Sequence, residues 1–262
     1  MKSAIEVRNL SWSYGEEKVL RGIDFQVEVG KFYSVIGPNG SGKTTLFKLI
    51  SSALELKGGS IYLNERDAKT YTKKELAKTV ATVPQNTAVE FDFSVEDIVM
   101  MGRSPYLRRF QSESEVDLEI VECAMKMVDI VHLREKKING ISGGERQRAI
   151  IARAIAQSAD IMLLDEPISH IDLRYQIELL DTVRKLNREK GVTVVAILHD
   201  LNLAAEYSDK LFLISKGEIV AKGSPEEVLT ASNIEEVYGL KVNLVENPET
   251  GKPHIIPLYS QF

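Results

Sequence analysis

The stretch Gly37-Pro38-Asn39-Gly40-Ser41-Gly42-Lys43-Thr44-Thr45 has the residue types and spacing of a phosphate cradle. Its glycines let the backbone curl until successive N–H groups point at one anion. Lys43 can neutralise β- and γ-phosphates, and the Thr44 hydroxyl can sit on Mg²⁺. A chance glycine-rich turn has no reason to lie between a strand and a helix. Here Phe32-Tyr33-Ser34-Val35-Ile36 is a continuous apolar run leading in, and Leu46, Phe47, Leu49 and Ile50 follow at helical spacing. The order strand, glycine loop, helix is the context such a loop requires, because the helix adds its positive end to the anion site.

A second stretch capable of chemistry is Ile161-Met162-Leu163-Leu164-Asp165-Glu166. A buried strand would hold Asp165 where its carboxylate can bind Mg²⁺, directly or through water. Glu166 lies just beyond, placed to orient or deprotonate an attacking water. Both acids belong to the site, and Glu166 is the candidate base. A third stretch, Ile141-Ser142-Gly143-Gly144-Glu145-Arg146-Gln147, reads as a Ser-Gly-Gly turn opening a helix. N–H groups, a hydroxyl and a helix dipole make it a second anion site.

These stretches must be positioned by an α/β core interrupted by a helical lobe. Ala4 to Val7 and Ile23 to Val29 alternate apolar and polar residues as strands do, and Gly58–Leu63 and Val80–Val83 read as further strands. From about Ser94 to Ser158 the pattern is mainly helical. Ser94 is an N-cap, and Val116, Ile120, Val121, Ala124, Met127 and Val128 share one face of a helix from Glu115 to Val128. Val192–Leu198 is a β-branched strand ending at His199-Asp200. Leu211–Ile214 and Glu218–Val220 flank a hairpin turn at Ser215-Lys216-Gly217. A capping box at Ser232 opens a short helix that stops at Gly239, and the tail reads as a hairpin around Asn247 to Gly251.

The whole pattern resembles the ABC-type ATPases, with Ser142 to Gln147 matching their signature sequence. The resemblance implies a P-loop NTPase core with an antiparallel β subdomain and an inserted helical signature subdomain. It places the ATPase domain at about 1–240. The RecA-like core would cover about 1–85 and 159–230, the helical subdomain about 86–158, and the C-terminal hairpin tail 241–262. ATP and Mg²⁺ are the implied cofactors. Tyr14 corresponds to the aromatic that stacks on adenine. Gln85 corresponds to the glutamine that senses Mg²⁺ and faces a membrane partner, and His199 to the histidine on the γ-phosphate. Ser169-His170-Ile171-Asp172 corresponds to the loop crossing a dimer interface, with Asp172 as its acid. The implied assembly is a head-to-tail pair. Ser142, Gly143, Gly144 and Glu145 of one copy would close over the nucleotide held by Lys43 of the other. Ile141 replaces the usual leucine, Glu145 the commonest glutamine, and Ile168 the usual threonine or serine. Glu145 is expected to tune turnover and not to abolish it.

The bulk numbers agree. The 262 residues carry a net charge of −5, so nucleic acid is not expected as a bulk partner. The opening MKSAIEVRNL has Glu6 and Arg8 and does not read as a signal peptide, and no apolar run is long enough to span a bilayer. The single cysteine, Cys123, reads as a core residue. Arg103, Arg108 and Arg109 read as a solvated basic face, in preference to a partner patch. His132, His170 and His254 are not paired at metal-ligand spacing.

One phosphate loop, no coiled-coil insertion and no second ATPase unit favour a transporter subunit over a DNA-maintenance or translation-factor relative. Ser94 to Tyr106, His199 to Ala204, and the tail residues Gly223-Ser224-Pro225, Val237-Tyr238-Gly239 and Pro253-His254 are similar to importers of iron–siderophore chelates, haem and cobalamin. Importers of other metals or oxyanions share parts of them. The implied partners are permease subunits and, indirectly, an extracytoplasmic binding protein. The implied location is the cytoplasmic face of a membrane.

Overall fold

The computed structural model describes residues 2–85, 92–108, 112–169 and 171–258, so Arg109 and His170 lie outside the described residues. The chain divides into two compact units, Met1–Thr70 with Thr193–Phe262, and Tyr71–Val192. The first begins with β1 (Ser3–Tyr14), β2 (Glu17–Glu28), β3 (Phe32–Ile36), α1 (Lys43–Ile50), β4 (Ser60–Leu63) and β5 (Arg66–Asp67). The second contains α2 (Lys73–Thr79), β6 (Val80–Val83), α3 (Val95–Met100), α4 (Glu115–Met127), α5 (Gly143–Ala156), β7 (Ile161–Asp165) and α6 (Leu173–Lys190). The chain then returns to the first unit with β8 (Thr193–Ile197), α7 (Leu201–Tyr207), β9 (Lys210–Ser215), β10 (Glu218–Gly223), α8 (Pro225–Val228), α9 (Ala231–Tyr238), β11 (Val242–Glu246) and β12 (Pro253–Pro257).

In the first unit, β3 runs parallel to β8 on one side and β9 on the other, and β10 closes back antiparallel on β9. All five residues of β3 and of β8 are buried, which is why both read as unbroken apolar runs. The antiparallel sheet has the order β2-β1-β4-β5. The β9–β10 turn uses Lys216 at φ 49° and Gly217 at φ 83°, the left-handed pair that a two-residue hairpin needs. The tail is the expected hairpin, β11 against β12.

The second unit pairs β6 with β7 in parallel and packs α3 and α4 on α5. Helices α2, α3, α4 and α5 start on side-chain caps. Thr72 with Glu75, Ser94 with Asp97, Ser114 with Asp117, and Ser142 with Glu145 each form a reciprocal capping box. The parallel core, the antiparallel sheet and the helical lobe together are the expected α/β architecture.

Four expectations are corrected. Arg103 is no solvated cation: it is 5% exposed, donates from Nε to Asp117 Oδ1 (2.9 Å) and from a terminal nitrogen to the Ala156 carbonyl (2.8 Å). Its guanidinium also lies 3.9 Å from the Tyr106 ring centroid. Asp117 is therefore held down to a pKa of about 2, by Ser114 first and Arg103 second. That partnership rotates α4. Its buried positions are Asp117, Val121, Ala124 and Met125, and Val116 points out, 60% exposed. Cys123 is consequently exposed, since two residues from Val121 is the far side of a helix. Finally, α9 starts on Thr230, whose hydroxyl accepts from the Asn233 N–H at 3.1 Å, and not on Ser232; it stops, as expected, at Gly239.

Candidate functional site

The phosphate loop links β3 to α1 in the first unit. Gly37 has φ 147°, and a Cβ there would lie 2.0 Å from the Ile214 carbonyl oxygen of β9. Only glycine lets the loop leave β3 this close to its neighbour. Gly42, at φ 102°, is the N-cap of α1, and a Cβ there would meet Leu20 at 2.6 Å. Gly40, at φ 76°, has open space where its Cβ would be. Pro38 and Asn39 carry the tip, where the Ser41 N–H reaches the Pro38 carbonyl at 3.3 Å. Thr44 and Thr45 fall in the first turn of α1.

Two side chains show what this loop is shaped to hold. Lys43 is 5% exposed and its Nζ donates to the carbonyls of Gly37 and Pro38, both at 2.8 Å. The ammonium thus leans across the loop onto neutral oxygens, weaker partners than phosphate oxygens would be. The Ser41 hydroxyl is buried, and among the described residues it has no hydrogen-bond partner. A buried polar atom without a partner is costly, and an anion's oxygen in the loop would satisfy it.

Tyr14 ends β1 and is 48% exposed, its ring edge-on to Trp12 with centroids 4.1 Å apart. Trp12 is fixed by its Nε1–H to the Glu55 carbonyl at 3.1 Å, so the exposed tyrosine is braced as a stacking surface. His199 follows β8 and is exposed. The next residue, Asp200, caps α7 by accepting from the N–H groups of Asn202 (2.8 Å) and Leu203 (2.9 Å), which sets where the strand ends.

In the second unit, β7 delivers Asp165 to its buried end, 8% exposed. Glu166 then turns into the left-handed region at φ 53°, an uncommon conformation for a residue with a Cβ. Gln85, just past β6, donates from Nε2 to Glu166 Oε2 at 2.7 Å. The Ser169 hydroxyl donates to the same oxygen at 3.2 Å. Asp172 is the N-cap of α6 and makes no side-chain cap bond. The neighbouring Ile171 approaches the signature turn: a Cβ on Gly144 would meet its Cγ2 at 3.0 Å.

The signature turn opens α5. The Glu145 carboxylate accepts from the Ser142 N–H and hydroxyl, which lowers its pKa. Ser142 is exposed, and Gly143 has open space at its Cβ position. Within its unit the structure therefore brings together Gln85 with Glu166, Ser142 with Glu145, and Gly144 with Ile171. The phosphate loop, Tyr14 and His199 all belong to the first unit. Ser169 was expected only as the first residue of the interface-crossing loop; its bond to Glu166 was not expected. The signal for that bond is its place three residues after Glu166, where a short side chain can turn back on the acid.

A protein-family model described as ABC transporter matches residues 20–169. The chain is 39% identical over 249 residues to the ferric enterobactin transport ATP-binding protein of Escherichia coli (strain K12), covering 95% of this chain and 92% of that relative. It is 38% identical over 265 residues to the hemin import ATP-binding protein of Bradyrhizobium diazoefficiens, covering 98% and 96%. A solved structure described as an inward-facing conformation of a metal-chelate-type ABC transporter superposes with a TM-score of 0.85 at 30% identity, over 98% of both chains.

Proposed function

Since the chain belongs to the ABC transporter family as an ATP-hydrolysing cassette, we propose that it powers uptake of a metal chelate (an iron–siderophore complex, haem or cobalamin) through a partner permease. The observation that carries this reading is the whole-length likeness to a ferric enterobactin transport ATP-binding protein and a hemin import ATP-binding protein. Among the described residues no helix is long and apolar enough to cross a membrane, which fits a subunit held at the cytoplasmic face by a permease. An extracytoplasmic binding protein would deliver the cargo to that permease.

The chemistry follows from the residues. ATP is the substrate. Its phosphates displace the two carbonyls that now hold Lys43 and give the Ser41 hydroxyl its missing partner, while Tyr14 stacks on the base. Thr44, Asp165 and Gln85 offer hydroxyl, carboxylate and amide oxygens, a hard donor set that suits Mg²⁺. That ion, when bound, would neutralise phosphate charge. Glu166 takes a proton from the attacking water as the water oxygen bonds to the γ-phosphorus. The bond to the bridging oxygen breaks and its electron pair leaves with ADP. His199 contacts the γ-phosphate.

One copy does not complete the site. Ser142, Gly143, Gly144, Glu145 and Asp172 are read as serving the nucleotide of a second copy in a head-to-tail dimer. The exposure of Ser142 and the open space at Gly143 support this, because they leave the turn accessible to a partner. Binding of two ATP molecules closes the pair, and loss of the γ-phosphate lets it part.

The test is co-purification of the full chain with a membrane permease, followed by ATP-dependent uptake of ferric siderophore, haem or cobalamin into vesicles. ATPase activity stimulated by DNA, with no permease captured, would overturn the reading.

A further inference from the structure

We infer that Ser169 is a positioning residue for Glu166, holding its carboxylate in line. This rests on the reading of Glu166 as the base.

The geometry comes from one turn. Glu166 leaves β7 at φ 53°, and Pro167 follows with its φ fixed by the ring. The Ser169 N–H then reaches the Glu166 carbonyl at 3.3 Å, and the Ser169 hydroxyl reaches Glu166 Oε2 at 3.2 Å. One residue therefore grips both the backbone and the side chain of the acid. A glutamate side chain has three rotatable bonds, and an unheld carboxylate would sample several orientations. A general base has to be held within hydrogen-bond reach of its water, and small misplacements are costly.

The two donors to Oε2 differ in origin. Ser169 is three residues away on the same turn, so its bond moves with Glu166. Gln85 arrives from just past β6, 81 residues earlier, and its Nε2 bond is the shorter at 2.7 Å. Gln85 lies just past the end of β6, outside the turn that carries Ser169. The local turn assigns alignment of Glu166 to Ser169.

A serine at this place could instead do no more than close the turn. The experiment separates the two. Steady-state ATPase activity and melting temperature are measured for the full-length chain and its variants S169A, S169T and E166Q. Residual turnover of E166Q and E166Q/S169A is followed for hours in single-turnover format. The expected result for S169A is a kcat about tenfold lower, with KM for ATP and melting temperature unchanged. S169T, which keeps the hydroxyl, restores kcat to within about threefold. In the E166Q background the serine change adds nothing, because the group it positions is gone. Wild-type kcat in S169A, no rescue by threonine, or an equal loss in the E166Q background would each overturn the inference. Failure of the base reading looks different: E166Q itself would then turn over at the normal rate.

Discussion

The Glu145 carboxylate accepts hydrogen bonds from the Ser142 N–H at 2.8 Å and from the Ser142 hydroxyl at 2.7 Å. In the proposed head-to-tail dimer, those are the two donors that a partner copy's γ-phosphate would take. A carboxylate here stands in for the phosphate and competes with it by charge as well as by contact. Glutamine at this position would keep the cap but lose the charge. E145Q should strengthen ATP-dependent dimerisation of the hydrolysis-deficient chain about fivefold at low salt, with the gain shrinking as salt screens the repulsion. Analytical ultracentrifugation at two ionic strengths checks this. No gain at low salt would show that the carboxylate does not oppose closure.

Lys43 should matter for binding more than for folding. Its ammonium is satisfied by two carbonyls in the free protein, so K43A removes some internal bonding but all of the charge meant for phosphate. Nucleotide affinity measured by calorimetry should fall by at least about 2 kcal/mol, the scale of a charge-assisted hydrogen bond. Unchanged affinity would remove the phosphate-loop reading.

The loop glycines should not be equivalent. G37A puts a methyl 2.0 Å from the Ile214 carbonyl, a rigid backbone atom, and must shift the loop or β9. G40A meets open space and costs only the left-handed conformation, about 1 kcal/mol. Thermal unfolding without nucleotide should therefore show a much larger drop for G37A than for G40A. Equal drops would contradict the packing at β9.

Acid should expose Asp117, held by Ser114 first and Arg103 second. The Asp117 pKa is lowered in the fold, from an ordinary value near 3.8 to about 2. Its contribution is thus fully present above pH about 4 and is lost as pH falls through about 2, a total of about 2 kcal/mol. D117N should flatten the acid limb of the unfolding free energy in that window. R103L, which strands a buried carboxylate, should destabilise by about 3 kcal/mol, and R103L/D117L should recover much of that. Urea titrations at several pH values would decide; an unchanged acid limb in D117N would rule Asp117 out as its cause.

Glu166 should be separable from binding. E166Q keeps the shape and loses the base, so it should bind ATP normally, form a stable dimer and turn over orders of magnitude more slowly. Gel filtration with ATP alongside a phosphate-release assay tests both halves. Normal turnover would move the role of base to another group.

The sequence alone determined which groups capable of chemistry are present, because each set lies in a short stretch. Gly37 to Thr45 needs only its glycines and the strand and helix beside it. The same holds for Asp165-Glu166 at the end of a buried strand and for Ser142-Gly143-Gly144 at a helix start. The strands β3, β7 and β8 were legible because burial on both faces forces an unbroken apolar run. Tertiary structure decided what depends on residues far apart in the chain. No periodicity shows that Arg103 finds Asp117 and the Ala156 carbonyl, and with them the roll of α4 that leaves Cys123 exposed. Nor does spacing show that Gln85 and Ser169 converge on one oxygen of Glu166. A motif specifies which groups are present. Which of them touch is fixed by packing over long sequence separations, where a polar group is placed by the partner that satisfies it and not by its neighbours in the chain.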